Sequence, residues 1–81
     1  MHLEILTPEK KLFSDEASAV QFPGAGGSFQ VLNNHAPIIS SLKNGVISVK
    51  HGNSSTDFKV TGGFVEVLNN KVSVLVEGVQ Q

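Results

Sequence analysis

The 81-residue sequence contains no cysteine, arginine, tryptophan or tyrosine. The absence of cysteine excludes disulfides, thiolate metal ligands and cysteine nucleophiles, and it fits a reducing compartment. All six cationic residues are lysine, so the chain has no guanidinium fork for phosphates or base edges, and it has few aromatic rings on which bases could stack. A nucleic-acid partner is therefore not expected.

Charge and long apolar runs are also scarce. Charged residues make up 16% of the chain, against about 25% in an average soluble domain, and 7 acidic residues nearly balance 6 basic ones. Nowhere do the roughly 18 apolar residues of a membrane-spanning helix run together, and an acid stands at position four. We expect neither a membrane span nor a signal peptide. The low charge leaves room for a neutral docking surface, although nine serines and six asparagines also supply polarity.

The chain is rich in β-branched residues, with eleven valines, four isoleucines and three threonines. These residues are enriched in strands, and here apolar and polar positions alternate with a period of two. No segment shows helical spacing with caps, and no repeat or linker is visible. The sequence therefore predicts one all-β domain over residues 1–81, an antiparallel β-sandwich or flattened barrel of about eight to ten short strands.

Seven or eight of these strands can be located from the turns between them. The predicted strands cover residues 3–7, 11–13, 17–22, 28–32, 46–50, 56–61, 64–68 and 72–76. Asn69-Asn70 tolerates the positive φ angles of a two-residue hairpin, Pro23-Gly24 ends the third strand, and Asn44-Gly45 marks a further turn. Residues 51–55 are predicted to form a loop, and Gly62-Gly63 a bulge or a close backbone approach.

The last two predicted strands carry apolar residues on both faces. The valines at 72, 74 and 76 share one face, and those at 65 and 67 do the same in the preceding strand. The opposite faces hold Phe64, Leu68 and Leu75, with Leu6 and Leu32 as possible neighbours. A sandwich buries only one face of each sheet, so these residues are either covered by a strand that crosses between sheets or exposed as a docking patch.

Several patterns that carry chemistry in other proteins are incomplete here. The glycines at 24, 26 and 27 could let backbone N–H groups approach a phosphate, but Phe29 replaces the third glycine of a dinucleotide fingerprint and a strand follows instead of a helix. A tight turn is therefore favoured. A nucleophile elbow around Ser28 would need glycine at Gln30, so an esterase is not indicated.

The titratable residues form no recognisable site either. His2, His35 and His51 lack the spacing of zinc ligands. Asp15-Glu16 is predicted to be a solvated turn, and adjacent carboxylates in an extended segment point to opposite sides, which does not suit paired-carboxylate chemistry. Lys43 and Lys71 lie near turns but lack the flanking residues of lipoyl or biotinyl carriers. No catalytic, metal-binding or cofactor-binding residue is assigned.

An ordered set of motifs along the chain nevertheless resembles a known family. These motifs are His2-Leu3-Glu4-Ile5-Leu6-Thr7-Pro8 with Leu12-Phe13-Ser14, Pro23-Gly24 followed by Gly27, Asn33-Asn34-His35-Ala36-Pro37-Ile38-Ile39, Leu42 with Gly45-Val46-Ile47, Val60-Thr61-Gly62-Gly63-Phe64-Val65-Glu66-Val67 and Asn70-Lys71-Val72-Ser73-Val74-Leu75. Together they resemble the N-terminal β-sandwich of the epsilon subunit of F-type ATP synthase, and the match covers nearly the whole chain.

The resemblance implies a noncatalytic subunit of the rotor, the central stalk that couples proton translocation through the c-ring to ATP synthesis. Its partners would be the gamma subunit and the c-ring, and its place would be peripheral, on the cytoplasmic face of the bacterial plasma membrane. The residues implied to face the c-ring, at one end of the fold, are Gly26, Gly27, Ser28, Gln30, Asn33, Asn34 and His35. Phe64, Leu68 and Leu75 form a candidate gamma-facing surface.

Two departures from the family pattern affect these expectations. Ser28 stands where the family often has an acid, so Gln30 and Asn34 would have to make the polar contacts. Family members usually continue into a C-terminal helical hairpin, whereas this sequence stops at Gln81. If the sequence is the whole natural protein, we expect no hairpin, no epsilon-type inhibition of ATP hydrolysis and no nucleotide binding; a fragment of a longer protein would have the same sequence. The alternative is a free-standing β-sandwich that binds a protein or a small ligand.

Overall fold

The computed structural model describes residues 1–80, and these residues form ten strands and no helix. The strands are β1 (His2–Leu6), β2 (Lys11–Glu16), β3 (Ala19–Gly24), β4 (Gly27–Leu32), β5 (Ile38–Leu42), β6 (Gly45–His51), β7 (Ser54–Val60), β8 (Gly63–Leu68), β9 (Lys71–Val76) and β10 (Val79–Gln80). The all-β prediction is confirmed, and the strand number lies at the upper end of the predicted range.

The strands follow the order β10-β7-β6-β3-β5-β8-β9-β1-β2, with β4 paired to β3 outside this path. A single residue pair, Gly24 with Leu42, joins β3 to β5. The sheet therefore curls at this point into two layers of five strands. The first layer contains β10, β7, β6, β3 and β4, and the second contains β5, β8, β9, β1 and β2. Phe13 of β2 packs edge to face on Phe58 of β7 across the layers, with 6.2 Å between ring centroids.

One strand pair departs from the antiparallel prediction. β1 pairs with β9 in parallel, from His2 opposite Lys71 to Leu6 opposite Leu75, whereas every other pair among the described strands is antiparallel. No hairpin joins two strands so far apart in sequence, so no turn residue signals the direction of this pair. The fold is a mostly antiparallel sheet with one parallel contact.

The core lies between the layers and consists of aliphatic side chains and Phe22. Along β8 and β9 the valines at 65, 67, 72, 74 and 76 are buried, and their neighbours on the other side of each strand are exposed. This alternation confirms the predicted faces. No polar or charged side chain is buried among the described residues, so the core depends on apolar contacts alone.

Two of the predicted turns are confirmed, and a third is shorter than the sequence predicted. Asn69 and Asn70 adopt φ angles of 52° and 63°, as the β8–β9 hairpin requires. Residues 25 and 26 form the tight turn between β3 and β4. The predicted loop at 51–55 is wrong, because His51 pairs with Ser54 and only Gly52 and Asn53 form the turn.

Most of the other differences between the predicted and the observed strands concern where a strand begins or ends. β3 continues through Pro23 to Gly24 instead of ending before them. The Pro23 carbonyl accepts a hydrogen bond from the Lys43 N–H at 2.9 Å, and N and O of one strand residue face the same edge. The absence of an N–H at Pro23 therefore removes no hydrogen bond between β3 and β4. Asp15-Glu16 belongs to β2 and is not a turn, and the sequence did not reveal β5 or β10.

Gly63 marks the close backbone approach that the sequence predicted for the Gly62-Gly63 pair. Its φ is 141°, and a Cβ at this position would lie 2.3 Å from the Leu75 carbonyl oxygen. That separation is far below van der Waals contact, so β8 can begin against β9 only with glycine here.

Replacing Gly63 with alanine should therefore be costly. We expect Gly63→Ala to lower the free energy of unfolding by about 2 to 4 kcal/mol, from backbone strain and the clash with β9. Gly26→Ala is the matched control, because a Cβ at Gly26 meets no atom within 4 Å. Urea denaturation of both variants measures the effect, and equal stabilities would contradict this explanation.

Candidate functional site

The outer side of the second layer carries a group of exposed apolar side chains, which we call the apolar face. It consists of the exposed residues Ile39, Phe64, Leu68 and Leu75 together with the half-buried Leu6. Ile39 is 75% exposed and Phe64 60% exposed. Part of the face forms an open depression of about 310 Å³ whose lining includes Leu6, Ile39, Phe64 and Leu75.

Strand register brings these side chains together. Phe64 lies opposite Leu75, and Leu75 lies opposite Leu6, so three apolar side chains form one row across β8, β9 and β1. The next row holds Ile39, Glu66 and Ser73 on β5, β8 and β9. The apolar face therefore combines side chains of four strands, β1, β5, β8 and β9, from position 6 to position 75 of the chain.

The sequence identified this face in part. The sequence left open whether a crossing strand covers Phe64, Leu68 and Leu75 or whether they are exposed. In the structure all three are exposed. Leu68 lies beyond Glu66 on β8, apart from the Phe64–Leu75 pair. Ile39 was missed because Ile38 and Ile39 show no alternation of their own. Only their pairing with Val67 and Glu66 separates an inner from an outer residue.

The residues implied to face the c-ring form a second surface along β4, which we call the β4 surface. β4 connects the turn at residues 25 and 26 to the loop at 33–35, and Gly27 and Ser28 belong to the strand. An extended strand from residue 28 to residue 33 separates the turn from the loop by about 17 Å, and their common contact with the c-ring stays a prediction. They lie at opposite ends of one strand, which pairs with no described strand other than β3.

The side chains of β4 alternate between the core and the outside. Phe29 packs against Phe22 with ring centroids 5.4 Å apart, and Val31 is fully buried. Ser28, Gln30 and Leu32 are exposed on the other side. Leu32 thus belongs to the β4 surface and not to the apolar face. Residues 26–35 contain no lysine and no acidic residue, so this surface offers mainly neutral hydrogen-bonding groups.

Hydrogen bonds hold the loop at 33–35 in place. The amino group of Met1 donates to the Asn33 side-chain oxygen, and the Asn34 N–H donates to Asn70 Oδ1 at 2.8 Å. His35 Nδ1 lies 2.7 Å from the Ala36 carbonyl oxygen. A carbonyl can only accept, so Nδ1 carries the proton, and a neutral ring then offers Nε2 as an acceptor. The Asn33 oxygen is thus engaged within the chain, whereas His35 Nε2 is available to a partner.

The other histidines have structural surroundings. His51 Nε2 lies 2.9 Å from Thr56 Oγ1, and its ring packs edge to face on Phe13. His2 lies 3.5 Å from a Glu16 carboxylate oxygen. Within residues 1–80, no three histidine, aspartate or glutamate side chains lie where they could share a metal ion. A search of the same residues finds no helix with the length and hydropathy to cross a bilayer.

Comparison with known proteins gives one consistent result. A family model described as "ATP synthase, Delta/Epsilon chain, beta-sandwich domain" matches residues 1–81. The ATP synthase epsilon chain of Pelotomaculum thermopropionicum is 43% identical over 79 residues, which are 98% of this chain and 59% of that protein. The ATP synthase epsilon chain of Caulobacter vibrioides is 42% identical over 77 residues, which are 95% of this chain and 90% of that protein.

A solved structure shares the fold. A chain from the Tetrahymena thermophila mitochondrial ATP synthase, in a cryo-EM structure described as "central stalk/cring", superposes with a TM-score of 0.85. The alignment covers 99% of this chain and 65% of that chain, at 22% identity. At this identity the likeness concerns the fold alone.

The contact between Asn34 and Asn70 can be tested apart from the turn that contains Asn70. Asn70→Gly keeps a residue that accepts positive φ but removes the acceptor for the Asn34 N–H. We expect hydrogen exchange of that amide to become about tenfold faster, with the global stability changed by no more than about 1 kcal/mol. Asn69→Gly is the control, since it alters the same turn and leaves the acceptor intact. Equal exchange rates in the two variants would show that the contact does not hold the loop.

Proposed function

The chain belongs to the ATP synthase epsilon chain family, and from this membership we propose that it is a noncatalytic subunit of the central stalk. In this role it binds the gamma subunit and the c-ring, and it couples proton translocation to ATP synthesis. Its place is peripheral, on the cytoplasmic face of the bacterial plasma membrane. The fold shared with a chain of a central-stalk and c-ring structure supports the proposal.

The observation that carries the gamma contact is the apolar face. Ile39 and Phe64 are more than half exposed on a regular sheet whose inner side is already filled with valine. A cluster of exposed apolar side chains on a small domain marks an interaction site more often than a free surface. Covering this face with the gamma subunit would remove that area from water, which favours association.

The β4 surface is the better candidate for the c-ring. It is neutral, it exposes Ser28 and Gln30 from a regular strand, and it ends in a loop held by Asn70. Such a surface can exchange hydrogen bonds with polar loops without the cost of desolvating charges. The two ends of β4, about 17 Å apart, would both contact the ring along an elongated footprint.

Removing the gene tests the function as a whole. The proposal requires that membranes from the deletion strain lose ATP synthesis coupled to the proton gradient, and that the protein copurify with gamma and the c-ring. A free-standing binding module would leave ATP synthesis unchanged. Normal coupling in the deletion strain, or the absence of this chain from the purified complex, would overturn the proposal.

A pair of histidine variants separates binding from folding. His35→Ala removes the Nε2 acceptor from the loop, and we expect retention in the purified complex to weaken about tenfold, equivalent to about 1.4 kcal/mol, with little change in stability. His51→Ala removes the contacts with Thr56 and Phe13, so it should lower the free energy of unfolding by about 1 to 2 kcal/mol and leave association intact. A large stability loss for His35→Ala with normal retention would show that this loop is structural.

A further inference from the structure

Glu66 is an exposed carboxylate in the middle of the apolar face. Phe64 and Leu68 flank it along β8 on the same side of the strand, and Ile39 and Ser73 lie directly across from it on β5 and β9. Its neighbours are thus three apolar side chains and one serine. Any partner that covers the apolar face must also cover this carboxylate.

No ion pair within residues 1–80 includes Glu66. Glu4, in the same row two strands away, pairs with Lys11 at 3.3 Å. The other ion pairs of the described residues join Glu16 to Met1 and His2. Lys71 is diagonal to Glu66 across β8 and β9, yet within residues 1–80 no cation lies within 4 Å of the Glu66 carboxylate. The apolar face therefore carries one uncompensated negative charge near its centre.

That charge restricts what can cover the face. Burying a carboxylate without a partner offsets much of the gain from the surrounding apolar area, so a purely apolar surface fits less well than one that carries a cation. A second copy of this chain also fits less well, because a two-fold dimer through the apolar face would bring two Glu66 carboxylates into one interface. A partner with a cation opposite Glu66 avoids both the burial of an unpaired carboxylate and the repulsion between two carboxylates.

We infer that the segment covering the apolar face is amphipathic and presents one lysine or arginine to Glu66, between apolar side chains that contact Phe64 and Ile39. The inference rests on the proposed function, in which that segment belongs to the gamma subunit. Glu66 then selects the partner and its register, since only one alignment places the cation opposite the carboxylate. The apolar residues supply the contact area.

Charge variants measured against purified gamma subunit test this inference. We expect Glu66→Gln to raise the Kd about tenfold or more and Glu66→Lys about a hundredfold, because the partner's cation would be buried unpaired or beside a like charge. Asp57 is exposed on β7, in the other layer. Asp57→Lys makes the same charge change as Glu66→Lys at this position and should bind like the wild type. Added NaCl should weaken the wild type more than Glu66→Gln.

Each outcome has a distinct meaning. A wild-type chain that does not bind gamma would overturn the proposed function. A wild type that binds gamma, together with Glu66→Gln and Glu66→Lys variants whose Kd matches that of Asp57→Lys, would overturn the charge pairing while leaving gamma binding in place. Recovery of Glu66→Lys binding by a lysine-to-glutamate or arginine-to-glutamate change on gamma would support the pairing. Phe64→Ala should weaken binding at every salt concentration, because it removes apolar area and no charge.

Discussion

Each strand of this fold has two faces, and only one of them can lie against the core. In β8 and β9 that face is filled by valine, from Val65 to Val76. Phe64 and Leu75 have the opposite parity, so no rotation of a side chain can bring them inside. The apolar face is therefore a direct consequence of the alternation that builds the core. Burying it requires a surface from outside the described residues, and the proposed gamma contact would supply one.

Close backbone contacts between strands set the shape on which both surfaces depend. Gly24 pairs with Leu42 at the single point where the two layers join, and a Cβ at Gly24 would lie 2.5 Å from the Gly27 carbonyl oxygen. Gly45 is equally restricted, because its Cβ would lie 2.7 Å from the Pro23 Cβ. These glycines allow β3 to turn from one layer to the other, which leaves β4 on the outside of β3 with its other edge unpaired.

The sequence was informative wherever a property is local. Asn69-Asn70 determines a turn, and the valines of β8 and β9 determine a buried face. Both predictions are confirmed. Properties set by distant partners were not accessible. No turn sequence indicates the parallel pairing of β1 with β9. The outward direction of Ile39 follows from its pairing with Glu66 on β8, which is distant in sequence. The c-ring-facing role of the residues along β4 stays a prediction from the family resemblance.

The two surfaces meet at the hairpin between β8 and β9. Asn70 takes the positive φ that closes this hairpin, and its side chain holds the Asn34 N–H of the β4 surface. Leu68 of the apolar face precedes the same turn. The loop at 33–35 is thus tied to β8 by one hydrogen bond and by the pairing of β8 with β9. In the proposed role both surfaces therefore share this hairpin, and a change at Asn70 would alter the loop at 33–35 and the end of β8 together.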